Sequence, residues 1–382
     1  MKVLNVNSIL DPVMGGGTAE RTLQISRFMR RAGIDCRVLT TNIGLTADVV
    51  RFEEGLEITA LPCLNRRFRI PWCTGRRIQS MVESADVVHL MDHWTILNAL
   101  VYRAARRLGK PYVVCPAGAL PIYGRSGTIK TMYNRFVGHE LIRNASGHVA
   151  ITSLESCQFE PYGIDHTRVT VIPNGVDCEA GADRNDAAFR EKFGLGDGPF
   201  VLFLGRINSI KGPDLLLQAF LSAQELLGDY QLVFAGPDGG MLELLKEMVT
   251  ESGAGERVRF IGYVGGSDKR WAYAAADVVV IPSRQEAMSI VALEAGAAGT
   301  PVILTDQCGF DELAGSGGGM VVEATAEALK AGLVELLKDR ERLPAMGEKL
   351  RAYVRENFGW EKVVDQYMNL YCKLVTHNAS RH

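Results

Sequence analysis

The sequence predicts an α/β protein made of two doubly wound, parallel-sheet domains facing a cleft. Three observations lead there. Apolar runs of strand length alternate with helical patterns, and the alternation starts afresh near residue 200. Strands joined through helices make parallel sheets with right-handed crossovers. Glycine-rich turns follow several of the runs, and 382 residues exceed one average domain.

In the first half, apolar and β-branched runs place strands at 2–7, 36–41, 87–91, 112–115, 147–151 and 169–172. Helical patterns such as 18–32 and 97–108 lie between them. The second half places strands at 200–204, 231–235, 258–261, 277–281, 301–304 and 320–322. The break falls in 173–199, rich in glycine, aspartate and alanine, with a linker at 174–186 and a short helix at 187–193. Domains are therefore expected at 1–178 and 186–357. A last amphipathic helix, 358–375, carries Phe358, Trp360, Tyr367 and Tyr371.

Composition is that of a globular protein, 47% hydrophobic and 23% charged. No apolar run reaches the roughly 18 residues that cross a bilayer. The start, MKVLNVNSIL, reads as a first strand, not a signal peptide. Eight cysteines, at 36, 63, 73, 115, 157, 178, 308 and 372, form no CxxC pair. That fits reduced thiols in the cytoplasm, with no disulfide framework and no metal site.

Net charge is −2, yet residues 1–175 hold 21 Lys/Arg against 14 Asp/Glu. The excess clusters at Arg66, Arg67, Arg69, Arg76 and Arg77, at Arg103, Arg106, Arg107 and Lys110, and at Arg125, Lys130, Arg135 and Arg143. Solvated helix faces explain such clusters as well as a surface drawn to an anionic membrane or acceptor. The segment PWCTGRR, 71–77, suits an interfacial loop. Cytoplasmic residence with peripheral attachment to a membrane is the expectation, and no nucleic acid partner is expected.

Five elements carry candidate chemistry. Gly15-Gly16-Gly17-Thr18 lies between the first strand and helix, where backbone N–H groups can approach a phosphate. A dinucleotide fingerprint would need glycine at position 20, which is Glu20. In LFLGRINSIKG, 202–212, Arg206 and Lys211 leave a strand end five residues apart and can converge on one dianionic group. FAGPDGG, containing Gly236, is a glycine turn after a strand, and FIGYVGG brings Tyr263 and Val264 to another strand end. In the stretch 277–306, Glu286 and Glu294 flank a strand end and the helix after it. Ligands of open α/β sheets bind at that end of the strands. A carboxylate pair there suits neighbouring hydroxyls. Hydrolysis and metal binding are the other uses of such a pair, but hydrolysis gains nothing from the nearby cations, and a metal site would want an aspartate-rich cluster or a second histidine. Cations, glycines and carboxylates together match the diphosphate, ribose and hexose of a nucleotide sugar.

These motifs, in their order GRINSIKGPDLLLQAF, FAGPDGG, FIGYVGG and PSRQEAMSIVALEAGAAGTPVILTD, resemble the retaining glycosyltransferases of family 4, which have the GT-B fold. The E-x7-E spacing is met by Glu286 and Glu294. The resemblance implies that Arg206 and Lys211 hold the donor diphosphate and that Glu286 bonds the transferred sugar. It implies donor contacts from Gly16, Gly17, Gly236, Val264, Ser289 and Ile290, with Glu294 on the ribose. It implies transfer of a hexosyl group from a nucleotide sugar to a glycan or lipid-linked acceptor, without metal or cofactor. It also implies that the C-terminal helix crosses back to the first domain. Where relatives carry a histidine before glycine, this chain has Ala117, so Asp92 and His93 become the acceptor-side candidates. A nucleotide-sugar epimerase and a non-catalytic sugar-nucleotide binder are the alternatives.

Overall fold

The computed structural model describes residues 1–45, 55–72, 75–122, 127–179 and 185–380. The chain divides into two units, Met1–Gly175 with Trp360–His382, and Val176–Gly359. The expectations for Cys73, Arg125 and part of the linker, 180–184, lie outside the described residues.

The first unit has strands β1 (Lys2–Val6), β2 (Asp35–Thr41), β3 (Glu57–Leu61), β4 (Cys63–Asn65), β5 (Ile70–Pro71), β6 (Val87–Met91), β7 (Tyr112–Cys115), β8 (Gly147–Ala150) and β9 (Thr170–Val171). Seven form one parallel sheet in the order β3-β2-β1-β6-β7-β8-β9; β4 and β5 pair as a small antiparallel hairpin. Strands β6, β7 and β8 are buried along their whole length. That suits a parallel sheet covered by helices, and it makes them continuous apolar runs in the sequence. Strand β3 escapes that pattern because it is an edge strand, mostly half-buried, with polar Glu57 and Thr59.

Two helices differ from expectation. The glycine triplet is not a plain turn: the helical segment Pro12–Arg31 includes it and is broken at Gly16, φ 58° and ψ −143°. Asp11 caps the short first piece, accepting from the Met14 N–H at 2.6 Å. The C-terminal helix starts at Trp360, not 358, and runs to Ala379, because Gly359 leaves helical geometry after the helix Leu343–Phe358. Trp360 stacks at 6.1 Å on Phe28 of the first helix, inside the first unit. Phe358 stays with Phe310 and Tyr353 in the second.

The second unit has β10 (Phe200–Leu204), β11 (Gln231–Ala235), β12 (Val258–Gly262), β13 (Val278–Ile281), β14 (Val302–Thr305) and β15 (Gly319–Val322). Their order is β12-β11-β10-β13-β14-β15, all parallel. This is the doubly wound order, and it reverses between β10 and β13. Phe203, Phe220, Phe234, Leu216 and Leu333 are buried in its core. Among the described residues no helix is long and apolar enough to cross a membrane. The seven described cysteines are free.

Candidate functional site

The reversal between β10 and β13 sets two loops side by side at the C-terminal edge of the second sheet. From β10 comes Gly205 to Lys211; from β13 come Ser283, Arg284 and Glu286. Lys211 Nζ lies 2.9 Å from Glu286 Oε1. Ser283 donates its hydroxyl to the same oxygen at 2.5 Å. The Glu286 N–H donates to the Gln307 carbonyl at 2.8 Å. A carboxylate oxygen has room for more than one donor, so the pair can open to receive an anion on Lys211 and a hydroxyl on Glu286.

Arg284 clamps the two loops together. Its guanidinium makes a fork to Asp214, with bonds of 2.8 and 2.6 Å, and also reaches the Ser209 carbonyl at 2.8 Å. Burial pushes the Asp214 carboxyl up, but Arg284 outweighs it and the group sits below its usual range. Asn208 caps the turn Ser209–Lys211 by accepting from the Lys211 N–H at 3.0 Å. Arg206 is exposed on the same loop, with its side-chain carbons against Gly239.

Two glycines let the backbones meet. A Cβ on Gly212, φ 62°, would sit 2.0 Å from the Pro282 carbonyl oxygen. One on Gly236, φ 148°, would sit 1.9 Å from that of Gly205. Only glycine allows both the dihedral and the contact. The structure thus gives Gly236 a packing role at the site's floor.

Glu294 lies on the helix Ile290–Ala298. Lys269 contacts its Oε1 at 2.5 Å, and the Tyr273 hydroxyl donates to Oε2 at 2.7 Å. Ser289 stands at the N-cap position without a capping bond, and its buried hydroxyl has no partner. With Ile290 it marks a helix start, where N–H groups favour anions. Val264 is buried beside exposed Tyr263 in the loop after β12. Sequence reasoning missed Arg284, Asp214, Ser283, Lys269 and Tyr273. The i, i+4 placing of Lys269 and Tyr273 on one helix face was the available signal.

In the first unit, the same edge holds Gly16 and Gly17 after β1 and Asp92 and His93 after β6. Gly17 is exposed. His93 has no exposed surface: Nε2 lies 2.9 Å from Asn134 Oδ1, and Trp94, Tyr133 and Tyr162 enclose the ring edge to face. Burial pushes its pKa down to about 4. It acts as a pillar of the loop, while neighbouring Asp92 keeps some exposed surface. Asp92 has φ 68°, its Oδ1 accepts from the His93 N–H at 2.6 Å, and burial pushes its carboxyl up. Ala117 also adopts positive φ, 51°. Its loop is held by buried Glu155, which accepts from the N–H groups of Gly118 at 2.5 Å and Ile151 at 2.7 Å.

Comparison with known proteins matches this frame. Residues 185–353 match the family model of glycosyl transferases group 1, and residues 16–175 match a glycosyl transferase 4-like domain. The chain is 30% identical to a D-inositol 3-phosphate glycosyltransferase of Xylanimonas cellulosilytica, over 96% of this chain and 94% of that protein. It is 36% identical to a protein of the same name from Nocardia farcinica, over 61% of this chain and 53% of the other. In this and other such relatives the match spans about half to two-thirds of their length. Among solved structures, Anabaena HepE in complex with UDP and glucose superposes with a TM-score of 0.79 at 18% identity, covering 98% of this chain and 100% of that one. The sucrose-phosphate synthase of Thermosynechococcus elongatus gives 0.75 at 19%, over 99% and 100%. These likenesses give the fold, GT-B.

Proposed function

The chain belongs to the group 1 glycosyl transferases of family 4 type, and from that membership we propose that it is a retaining hexosyltransferase. Its donor is a nucleotide-diphosphate sugar. Its acceptor is a hydroxyl of a glycan or lipid-linked sugar used in cell-surface polysaccharide or glycolipid synthesis. The observation that carries the reading is the Lys211–Glu286 pair, 2.9 Å apart where the second sheet reverses its strand order.

In this reading the diphosphate displaces Glu286 from Lys211, and Arg206 joins it on the phosphate oxygens. Glu286, held by Ser283, accepts from hydroxyls of the hexose, and Glu294 accepts from those of the ribose. The bond between the anomeric carbon and the phosphate oxygen breaks as the acceptor oxygen bonds that carbon on the same face. The leaving phosphate oxygen takes the acceptor proton. Fixed cations stabilise the charge that develops there, so the step needs neither a metal nor a cofactor. Asp92 is the acceptor-side carboxylate; Gly16 and Gly17 offer N–H groups to phosphate.

A donor panel without divalent metal tests this, beginning with UDP-sugars because HepE holds UDP and glucose. Inositol 3-phosphate belongs among the acceptors because the relatives' names carry it. One donor should raise the melting temperature, since it binds the folded state alone. Glu286→Gln should shrink that shift, and Lys211→Ala should cut transfer by about 100-fold or more. Undiminished transfer by Lys211→Ala at saturating donor, or an inverted anomer by NMR, contradicts the proposal.

A further inference from the structure

The first unit carries an apolar, arginine-rich surface that the proposed chemistry leaves unused. The helical run 127–143 turns Ile129, Met132 and Phe136 outward, with 51%, 54% and 70% of their surface exposed. Spacings of three and four set them in one row. A surface helix ordinarily turns such a row toward the core. Here the inward places are held by Tyr133, whose ring meets Trp94 and whose hydroxyl donates to the Thr95 carbonyl, and by Asn134 on His93. The π-helical turn Asn134–Gly138 lies within the run.

The hairpin β4–β5 extends the surface. Leu64, Phe68 and Trp72 are 64%, 47% and 68% exposed. Both elements are tied to the loop after β6: Arg69 Nη1 lies 4.0 Å from Asp92 Oδ2, and Lys130 Nζ sits 5.4 Å over the Trp94 ring. Exposed Ile96 belongs to the same loop end. No acidic residue occurs between Glu57 and Glu83 or between Asp92 and Glu140. Arg66, Arg67, Arg76 and Arg135 are exposed in those acid-free stretches. Arg106 and Arg107 end the helix Ile96–Arg107, one helix length from this loop, and are not part of the surface.

We propose that this surface seats the protein on an anionic lipid bilayer. The Ile129–Met132–Phe136 row and Trp72 enter the boundary between headgroups and acyl chains, and the arginines meet lipid phosphates. A second copy of the chain fits the surface poorly, because a two-fold contact would bring one arginine-rich patch onto another. The inference deepens the proposed function by naming where a lipid-linked acceptor is reached, and the binding itself requires no donor chemistry.

Flotation of the full chain with vesicles tests it, comparing phosphatidylcholine alone with an equal mixture of phosphatidylcholine and phosphatidylglycerol. Binding is expected to the mixed vesicles, to weaken with salt, and to fall at least tenfold in Ile129→Ser/Phe136→Ser and in Arg66→Ser/Arg67→Ser. Brominated lipid should quench the fluorescence that is lost in Trp72→Phe. Unchanged melting of the surface variants certifies their fold. Glu286→Gln should bind vesicles like wild type, so loss of transfer and loss of membrane binding are separable results. Equal binding to both vesicle types overturns the proposal, as does undiminished binding by Ile129→Ser/Phe136→Ser. A concentration-dependent dimer that Phe136→Ser dissociates, without vesicle binding, also overturns it and gives the surface to a second copy.

Discussion

Arg284 holds the two loops of the second unit in register, although it is itself 39% exposed in its side chain. Its fork to Asp214 is a surface ion pair, and such pairs contribute roughly 1 kcal/mol or less to stability. Its larger effect is on position: with Ser209 and Asp214 it fixes the loop whose last residue is Lys211. Arg284→Ala is therefore expected to leave the melting temperature within a few degrees while raising the donor KM about tenfold or more, because small misplacements at reacting groups are costly. Arg284→Lys should restore little, since an ammonium cannot make the fork. Steady-state kinetics beside thermal melts checks this; a large loss of stability with unchanged KM would reverse the assignment. The contrast with Lys211 and Glu286 explains what the sequence disclosed at this scale. Those two stand in short local patterns, Lys211 five residues after Arg206 and Glu286 opening the E-x7-E spacing. Arg284 and Asp214 are separated by 70 residues, and Lys269 and Glu294 by 25, and only the fold brings each pair together.

At the scale of elements, the site depends on backbones that approach closely at glycine. Gly236→Ala would put a carbon 1.9 Å from the Gly205 carbonyl oxygen, far inside contact distance, and must push the β10 loop away from the end of β11. Strain of that kind is expected to destabilise the second unit by roughly 2–4 kcal/mol and to abolish the donor's thermal shift. The melting of the first unit should not change. If Gly236→Ala retains the donor shift, the glycine only lines the turn. Most strands were legible because central parallel strands are continuous apolar runs, and twelve of the fifteen described strands begin and end within a residue of expectation. The exceptions have physical causes. Strand β3 and the hairpin β4–β5 lie at an edge or outside the sheet and lack the apolar run. The glycine triplet looked like a turn, but Asp11 nucleates a helical piece before Gly16 breaks it. The aromatic stripe suggested one helix across Gly359, whose extended ψ of 138° ends it.

At the scale of the whole molecule, the two units carry different acid sensitivity. All seven histidines fall within Met1–Gly175 and Trp360–His382, and the other unit has none. Three are buried: His148, whose pKa burial lowers, and two that are almost wholly enclosed. Burial pushes His89 down to about 3, helped by the charge of Arg21, and its Nδ1 lies 2.9 Å from the Tyr371 hydroxyl under the C-terminal helix. Burial pushes His93 down to about 4. Both are neutral in the folded chain, whereas the unfolded chain binds their protons below its ordinary histidine value near 6.5. Their contribution is therefore fully present above pH 6.5 and is withdrawn as pH falls toward 4. His93 alone removes up to about 3 kcal/mol over that window. A chain of two units need not unfold in one step, so the transition of the first unit should move down from pH 7 to pH 4.5 by more than that of the second. Trp271 is the one tryptophan of the second unit. In Trp271→Phe the fluorescence therefore reports the first unit alone, and calorimetry reports both. Acid should separate the two transitions, and replacing His89 with phenylalanine should reduce the separation even at some loss of stability at pH 7. Transitions that shift together across this range would mean that the buried histidines do not set the acid limit of the fold.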